Sequence, residues 1–280
     1  MNPTPLSKWT PAVSIGAWSQ MLAGVGSSAR AQLSELRHAA AVIGTALYTG
    51  IQPRYWSREV RKAFARQIMY VGVEPLWFVG ALAVFVGISV VVQLSSWIGE
   101  AGQSQLLGPV LVTVVARELG PVLINLVVIV RSGSAMTTEL GVLKIDGGIR
   151  KLEAEGGDPF RQLVVPRVLS LAVSTFCLTI VFIFVAFASG YLFAASTGKG
   201  SRDLLLFADT VSRAVQPKDV FNILAKSILP ALFASASCCI GGLGVGPLDT
   251  EIPQATQRAL TRSVAGLFVV SVVVSLLTYL

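Results

Sequence analysis

The chain has 280 residues, of which 53% are hydrophobic and 13% charged, with a mean hydropathy of +0.70. A soluble domain carries about 25% charged residues, so this chain has too few charges to coat a water-exposed surface and reads as an integral membrane protein. The alternation needed for an outer-membrane barrel is absent and the apolar runs are long and continuous, which predicts an all-α membrane protein.

The net charge is +7, and its placement says more than its size. Arg54, Arg58, Arg61, Lys62 and Arg66 crowd one segment before the first long apolar run. The positive-inside rule assigns that segment to the cytoplasm. Attraction to anionic headgroups explains the patch more simply than nucleic-acid binding does. Cys177, Cys238 and Cys239 lie within apolar stretches and suggest core packing, with neither a disulfide framework nor a metal site. The single histidine, His38, has no neighbouring ligands in sequence and reads as an ordinary polar contact.

Residues 1–26 mix Pro, Ser and Gly, lack the layout of a cleavable signal peptide, and are expected to be poorly ordered. From 27 to 48 Leu33, Leu36, Ala40, Ile43 and Leu47 recur at helical steps, which predicts a helix on the membrane surface. Pro53 breaks it, and a basic amphipathic helix over about 57–70 leads into the membrane. Residues 27–70 thus form an interfacial segment ahead of five spans in 71–280.

The first span covers about 75–94, long enough to cross a bilayer. Its Gly80 and Gly87 allow close helix approach, and Gln93 is the strong polar group near its far end. A short outer loop follows over 95–105. The second span, about 106–130, carries Arg117 and Glu118 beside Gly120 and Pro121. A charge near a bilayer centre costs at least ~2.5–3.5 kcal/mol, so such residues face protein or a wet cavity. Adjacent helical residues do not face each other, so each needs a partner elsewhere, or water. The reading preferred on these grounds is a functional cavity; a packing role is the alternative. Ser132, Gly133, Ser134 and Ala135 form a small-residue run suited to tight helix packing.

Residues 141–167 form the main cytoplasmic loop. Ile149 and Leu152 lie three apart, which fits a short amphipathic helix ended by Gly156, Gly157 and Pro159. Such a helix either docks on a soluble partner or is a solvated connector, and the pattern alone does not choose. The third span covers about 168–195. An outer segment over 196–220 holds Lys199, Arg202, Asp203, Asp209, Arg213, Lys218 and Asp219, with nearly balanced charge. The fourth span, about 221–243, contains Pro230 as a kink site. The glycine string 241–246 has no βαβ unit around it and reads as a helix end, not a nucleotide loop. A last span covers about 264–280.

A phosphate-binding loop, a zinc-protease helix and a nucleophile elbow are all missing from the sequence. Any ATP used must be bound by another chain, and an enzyme acting alone is not expected.

Ala116-Arg117-Glu118-Leu119-Gly120-Pro121, Arg131-Ser132-Gly133-Ser134-Ala135 with Glu139-Leu140-Gly141, Gly156-Gly157-Asp158-Pro159 and Val164-Val165-Pro166-Arg167 together resemble the MlaE/YrbE permeases. These are membrane subunits of lipid-transporting ABC systems that work with Mce-domain proteins. The resemblance implies a multi-pass homodimer in the bacterial inner membrane; the basic segment ahead of five spans puts the N-terminus in the cytoplasm and the C-terminus on the periplasmic side. Two ATPase subunits would dock on the cytoplasmic side and bind ATP and Mg, sometimes with a STAS-domain protein. An Mce-domain oligomer would sit on the periplasmic side. It also implies a phospholipid cavity between the two chains that includes Arg117 and Glu118, with Gln93 a further candidate. The loop 146–158 would be the coupling helix, through Asp146, Ile149, Arg150, Leu152, Glu153 and Asp158. One departure stands out: Gly147-Gly148 replaces a common Glu-Gln pair, and Glu155 replaces a hydrophobic residue. Two rival readings remain: a secondary transporter with Glu118 as proton carrier, and a non-transporting scaffold.

Overall fold

The apolar runs form helices because in lipid each backbone polar group must be satisfied within the chain. The computed structural model describes residues 37–52, 56–101, 112–196, 209, 212–213 and 215–279. The expected disorder of 1–26 and residues 27–36 of the expected surface helix lie outside these residues. A helix α1 covers 37–51. Helices α2 (Arg58–Leu94), α3 (Thr113–Ile145), α5 (Phe160–Ser196), α6 (Pro217–Leu243) and α7 (Asp249–Tyr279) are each long and apolar enough to cross a membrane. The short α4 (Gly148–Ala154) connects α3 to α5. No strand occurs among the described residues.

Several helices outrun the spans read from hydropathy. The α2 helix runs on to Ala101, α5 starts at Phe160 rather than near 168, and α6 starts at Pro217 rather than near 221. Hydropathy marks where the lipid is, whereas helices stop where capping and sterics stop them. At α6 the stop is a capping box: Gln216 and Asp219 bond each other's backbone N–H, and Pro217 sits in the first turn. This draws Lys218 and Asp219 out of the expected outer segment into the helix.

The α6 helix is the centre of the bundle, packed on α7, α5 and α3. Of its most apolar window 61% is buried within the chain, against 28% for α2 and 22% for α7. The outer helices therefore present Trp77, Phe78 and Phe85, and Val269, Val272 and Leu277, to lipid or to another chain. Close approach rests on small residues, as expected where water gives no hydrophobic drive between helices. A side chain at Gly87 would collide with the Ala186 carbonyl of α5, so this glycine sets the α2–α5 contact; Gly80 faces open space. A side chain at Gly242 would meet the Thr137 carbonyl at 2.7 Å, and Thr137 Oγ1 donates to the Cys238 carbonyl at 3.2 Å. In α1 the buried face is Ala39 and Ala46, supported by Val42 and Ile43, and Leu47 turns outward. The smaller residues take the side against α5, which leaves the long leucine for the surroundings.

Three prolines free backbone carbonyls, and each time a side chain from another helix supplies the missing donor. Pro230 has no N–H for the Lys226 carbonyl, which accepts from Asn125 Nδ2 at 3.0 Å instead. Pro121 lies four residues after Arg117, whose carbonyl accepts from Lys226 Nζ at 3.2 Å. In the π turn Met69–Val73, the Glu74 N–H reaches back five residues to the Met69 carbonyl at 3.1 Å. Pro75 cannot make the next such bond, and the Tyr70 carbonyl accepts from Arg131 Nη1 at 3.0 Å. Arg131 also pairs with Glu74 at 2.6 Å and lies over the Tyr70 ring. It thereby ties the π turn of α2 to the π turn Ile129–Gly133 of α3.

Candidate functional site

Asp219, Asn222 and Lys226 follow one another at three- and four-residue steps, so they share one face of α6. All three are buried, toward the N-terminal end of α6. Opposite them runs the π turn Val112–Leu119 of α3, which carries Arg117 and Glu118. π turns are rare and recur at functional sites.

The four charges pair crosswise between α3 and α6. Arg117 Nη2 donates to Asp219 Oδ2 at 2.8 Å, and Lys226 Nζ donates to Glu118 Oε1 at 2.7 Å. The C-terminal end of α7 closes the group. The Tyr279 hydroxyl donates to Asp219 Oδ1 at 3.0 Å and accepts from Asn222 Nδ2 at 2.8 Å. Ser275 Oγ donates to Glu118 at 3.3 Å. The Arg117 guanidinium and the Lys218 ammonium each lie 5.4 Å from the Tyr279 ring centre, within cation–π range.

Two cations meet two carboxylates, so the group is electrically balanced. Its members differ in access. The Asp219 side chain is 1% exposed and that of Lys226 0%, whereas Arg117 is 18% and Glu118 50% exposed. Glu118 is the one that opens outward. Arg117 Nε and Asn222 Oδ1 are buried with no hydrogen-bond partner among the described residues.

The neighbours that Arg117 and Glu118 need are thus on α6, and sequence reasoning passed over them. Lys226 lies inside an apolar run and carries the same signal that singled out Arg117. Asp219 was hidden by the hydropathy boundary. Asn222 and Tyr279 give no signal of their own until α6 and α7 are placed together. Gln93 stands exposed on α2, whose main packing partner is α5.

The loop candidates lie at the other end of α3, roughly 40 Å away along its axis at 1.5 Å per residue. Asp146 caps α3 and is exposed, as are Arg150 and Glu153, while Ile149 and Leu152 are half-buried on α4. Asp158 accepts the Phe160 N–H at 3.0 Å, pairs with Arg161 at 3.0 Å, and so starts α5. Gly147 adopts φ 73°, the left-handed corner between α3 and α4. Near this end two of the quoted motifs meet: Glu139 pairs with Arg167 at 2.9 Å. Lys144 Nζ caps α6 by donating to the Leu243 and Val245 carbonyls, both at 2.7 Å. The glycine string 241–246 is indeed a helix end: α6 stops at Leu243, and the Gly246 N–H donates to Glu251 at 2.9 Å.

Five lipid-length helices around a balanced ionic core define a multi-pass helical membrane protein whose polar chemistry is internal. The family model described as "Permease MlaE" matches residues 64–277, and the chain belongs to that family of ABC transporter permeases. It is 26% identical over 208 residues to the intermembrane phospholipid transport system permease protein MlaE of Haemophilus influenzae, covering 73% of this chain and 79% of that one. It is 28% identical over 209 residues to a probable ABC transporter permease of Synechocystis, covering 75% and 79%. It is also 28% identical over 211 residues to the chloroplastic protein TRIGALACTOSYLDIACYLGLYCEROL 1 of Arabidopsis thaliana, where it covers 75% of this chain but 59% of the longer plant protein.

Proposed function

We propose that the chain moves phospholipid between the bacterial inner membrane and a periplasmic Mce-domain carrier, as one half of a homodimer. ATP and Mg are bound by two partner ATPase subunits, and a STAS-domain protein can join them. Closure driven by ATP passes through the loop 146–158 and α3 to the dimer cavity. The observation that carries this reading is the ionic group at the far end of α3, with Glu118 half exposed beside a fully buried Lys226. An ionisable residue within a membrane span that stays open at one side is a functional-site candidate by default. Arg117 is matched by Asp219, so it lines the cavity while holding α3 against α6. Glu118 is the member placed to sense what enters.

The test is purification from the native membrane in mild detergent, followed by mass spectrometry of bound proteins and lipids and by lipid transfer in vesicles. An ATPase and an Mce-domain protein should copurify, and Glu118→Gln should slow ATP-dependent transfer with the complex intact. Transfer driven by a pH gradient without any ATPase would replace this reading with the secondary transporter. Unchanged transfer on replacing both Glu118 and Lys226 would leave the group a structural one.

A further inference from the structure

The corner between α1 and α2 holds an open cleft of about 340 Å³ lined by Gly50, Ile51, Trp56 and Arg61. It takes no part in the ionic group on α6. Trp56 is fixed from two sides: its Nε1–H donates to the Gly50 carbonyl at 2.9 Å, and its ring meets Phe64 edge-on at 5.1 Å. Gly50 lies so close to α5 that a side chain there would meet Leu169 at 2.6 Å, so the end of α1 is braced against the bundle. The cleft is thus a built feature rather than a gap between loose ends.

Its walls are of two kinds. Ile51 is 79% and Tyr48, one turn earlier, 65% exposed, an apolar rim with an indole beside it. Arg61 is exposed and forms no ion pair among the described residues. Arg58 and Lys62 share its side of α2, Arg66 follows a turn later, and the carboxylate of this stretch, Glu59, approaches Lys62 at 3.9 Å. Tryptophan and tyrosine favour the lipid headgroup level, and basic pockets beside membrane helices bind anionic headgroups. A free phosphate would use the guanidinium alone. An amphiphile uses the guanidinium, the indole and the apolar rim together.

We propose that this cleft seats one anionic phospholipid of the surrounding leaflet per chain, its phosphate on Arg61 and its upper acyl region against Trp56 and Ile51. The seat is separate from the ionic group on α6 and holds its lipid in place while others pass.

The full-length protein in mild detergent is titrated with phosphatidylglycerol or phosphatidylcholine, and bound lipid is counted by native mass spectrometry. Phosphatidylglycerol should be retained in preference. Arg61→Ala should weaken it about fivefold and Arg61→Glu about thirtyfold, while Arg61→Lys keeps most of the binding. Ile51→Glu should also weaken it with all basic residues in place. These positions are exposed, so each variant should elute like the parent. Equal retention of the two lipids, or full retention of phosphatidylglycerol by Arg61→Glu, would overturn the proposal. Displacement of the lipid by millimolar inorganic phosphate would do so too, and would mark a free-anion site.

Discussion

The two ion pairs that join α3 to α6 start from adjacent residues and end in opposite situations. In one the carboxylate is sealed, with Asp219 1% and Arg117 18% exposed; in the other the cation is sealed, with Lys226 0% and Glu118 50% exposed. Removing one partner of a buried pair is costly because it strands the other charge, whereas replacing both can be nearly neutral. The residue whose loss matters most in each pair is therefore the more exposed one. Accessibility and energetic weight run together here, the reverse of the usual case, because each more exposed partner neutralises a sealed charge.

The sharpest way to break this comparison is at Glu118. Glu118→Ala leaves the Lys226 ammonium buried with the Arg117 carbonyl as its remaining acceptor, and should destabilise by about 3–5 kcal/mol. Lys226→Met leaves a carboxylate that can turn to water, plus one carbonyl short of a donor, and should cost about 1–3 kcal/mol. The double variant should be more stable than Glu118→Ala alone. Thermal unfolding of the detergent-purified protein ranks the three. If Lys226→Met proves the more damaging single change, the proposed asymmetry is wrong.

The second pair should respond less. With Arg117→Met, Asp219 keeps the Tyr279 hydroxyl and the Gln216 N–H, the latter at 2.8 Å. Its charge is then cushioned, and the loss should be about 2–3 kcal/mol, below that of Glu118→Ala. Tyr279→Phe alone should cost about 1–2 kcal/mol, since Asn222 Nδ2 loses its acceptor as well. The two together should exceed their sum, because each cushions Asp219 against loss of the other.

What the sequence made legible follows from the same physics. Five spans and an all-helical class were readable because long apolar runs admit few other structures in lipid. Arg117 and Glu118 were readable because a charge in such a run stands out. Asp219 was not, because hydropathy ends a span where polar residues begin, and a capping box carries the helix four residues further. The pairing of α3 with α6 was also out of reach: Pro230 read only as a kink site and Pro121 only as a neighbour of the charges, and only the packed bundle brings Lys226 and Asn125 to the carbonyls they free. Gly147-Gly148 stood out in the sequence only as a departure from a common Glu-Gln pair. In the structure Gly147 is a corner ahead of α4, and its flexibility serves the turn rather than undermining the helix.

The proline repairs set a finer test between the two helices. Asn125 is 1% exposed and donates to both the Pro121 and Lys226 carbonyls, at 2.8 and 3.0 Å. Asn125→Leu should cost about 1–3 kcal/mol. Pro230→Ala restores an N–H for the Lys226 carbonyl, so it should relieve part of that loss while doing little in the parent. A strictly additive double variant would mean that the Asn125 amide is not standing in for the proline.

The smallest effect belongs to the loop corner, and it separates the two ends of α3. Gly147 has φ 73° with no atom within 4 Å of where a side chain would begin. Any penalty for a larger residue is therefore backbone strain and not collision. Gly147→Ala should cost about 1 kcal/mol, and Gly147→Asn less, since asparagine enters the left-handed region more readily. Neither change reaches the ionic group roughly 40 Å along α3, so the melting temperature should move by only a few degrees. If the corner carries motion from a partner ATPase, Gly147→Ala should slow ATP-dependent lipid transfer by more than that small strain explains, with Gly147→Asn restoring part of the rate. Transfer that falls equally in both variants would point to loss of the loop's outer surface rather than of its shape.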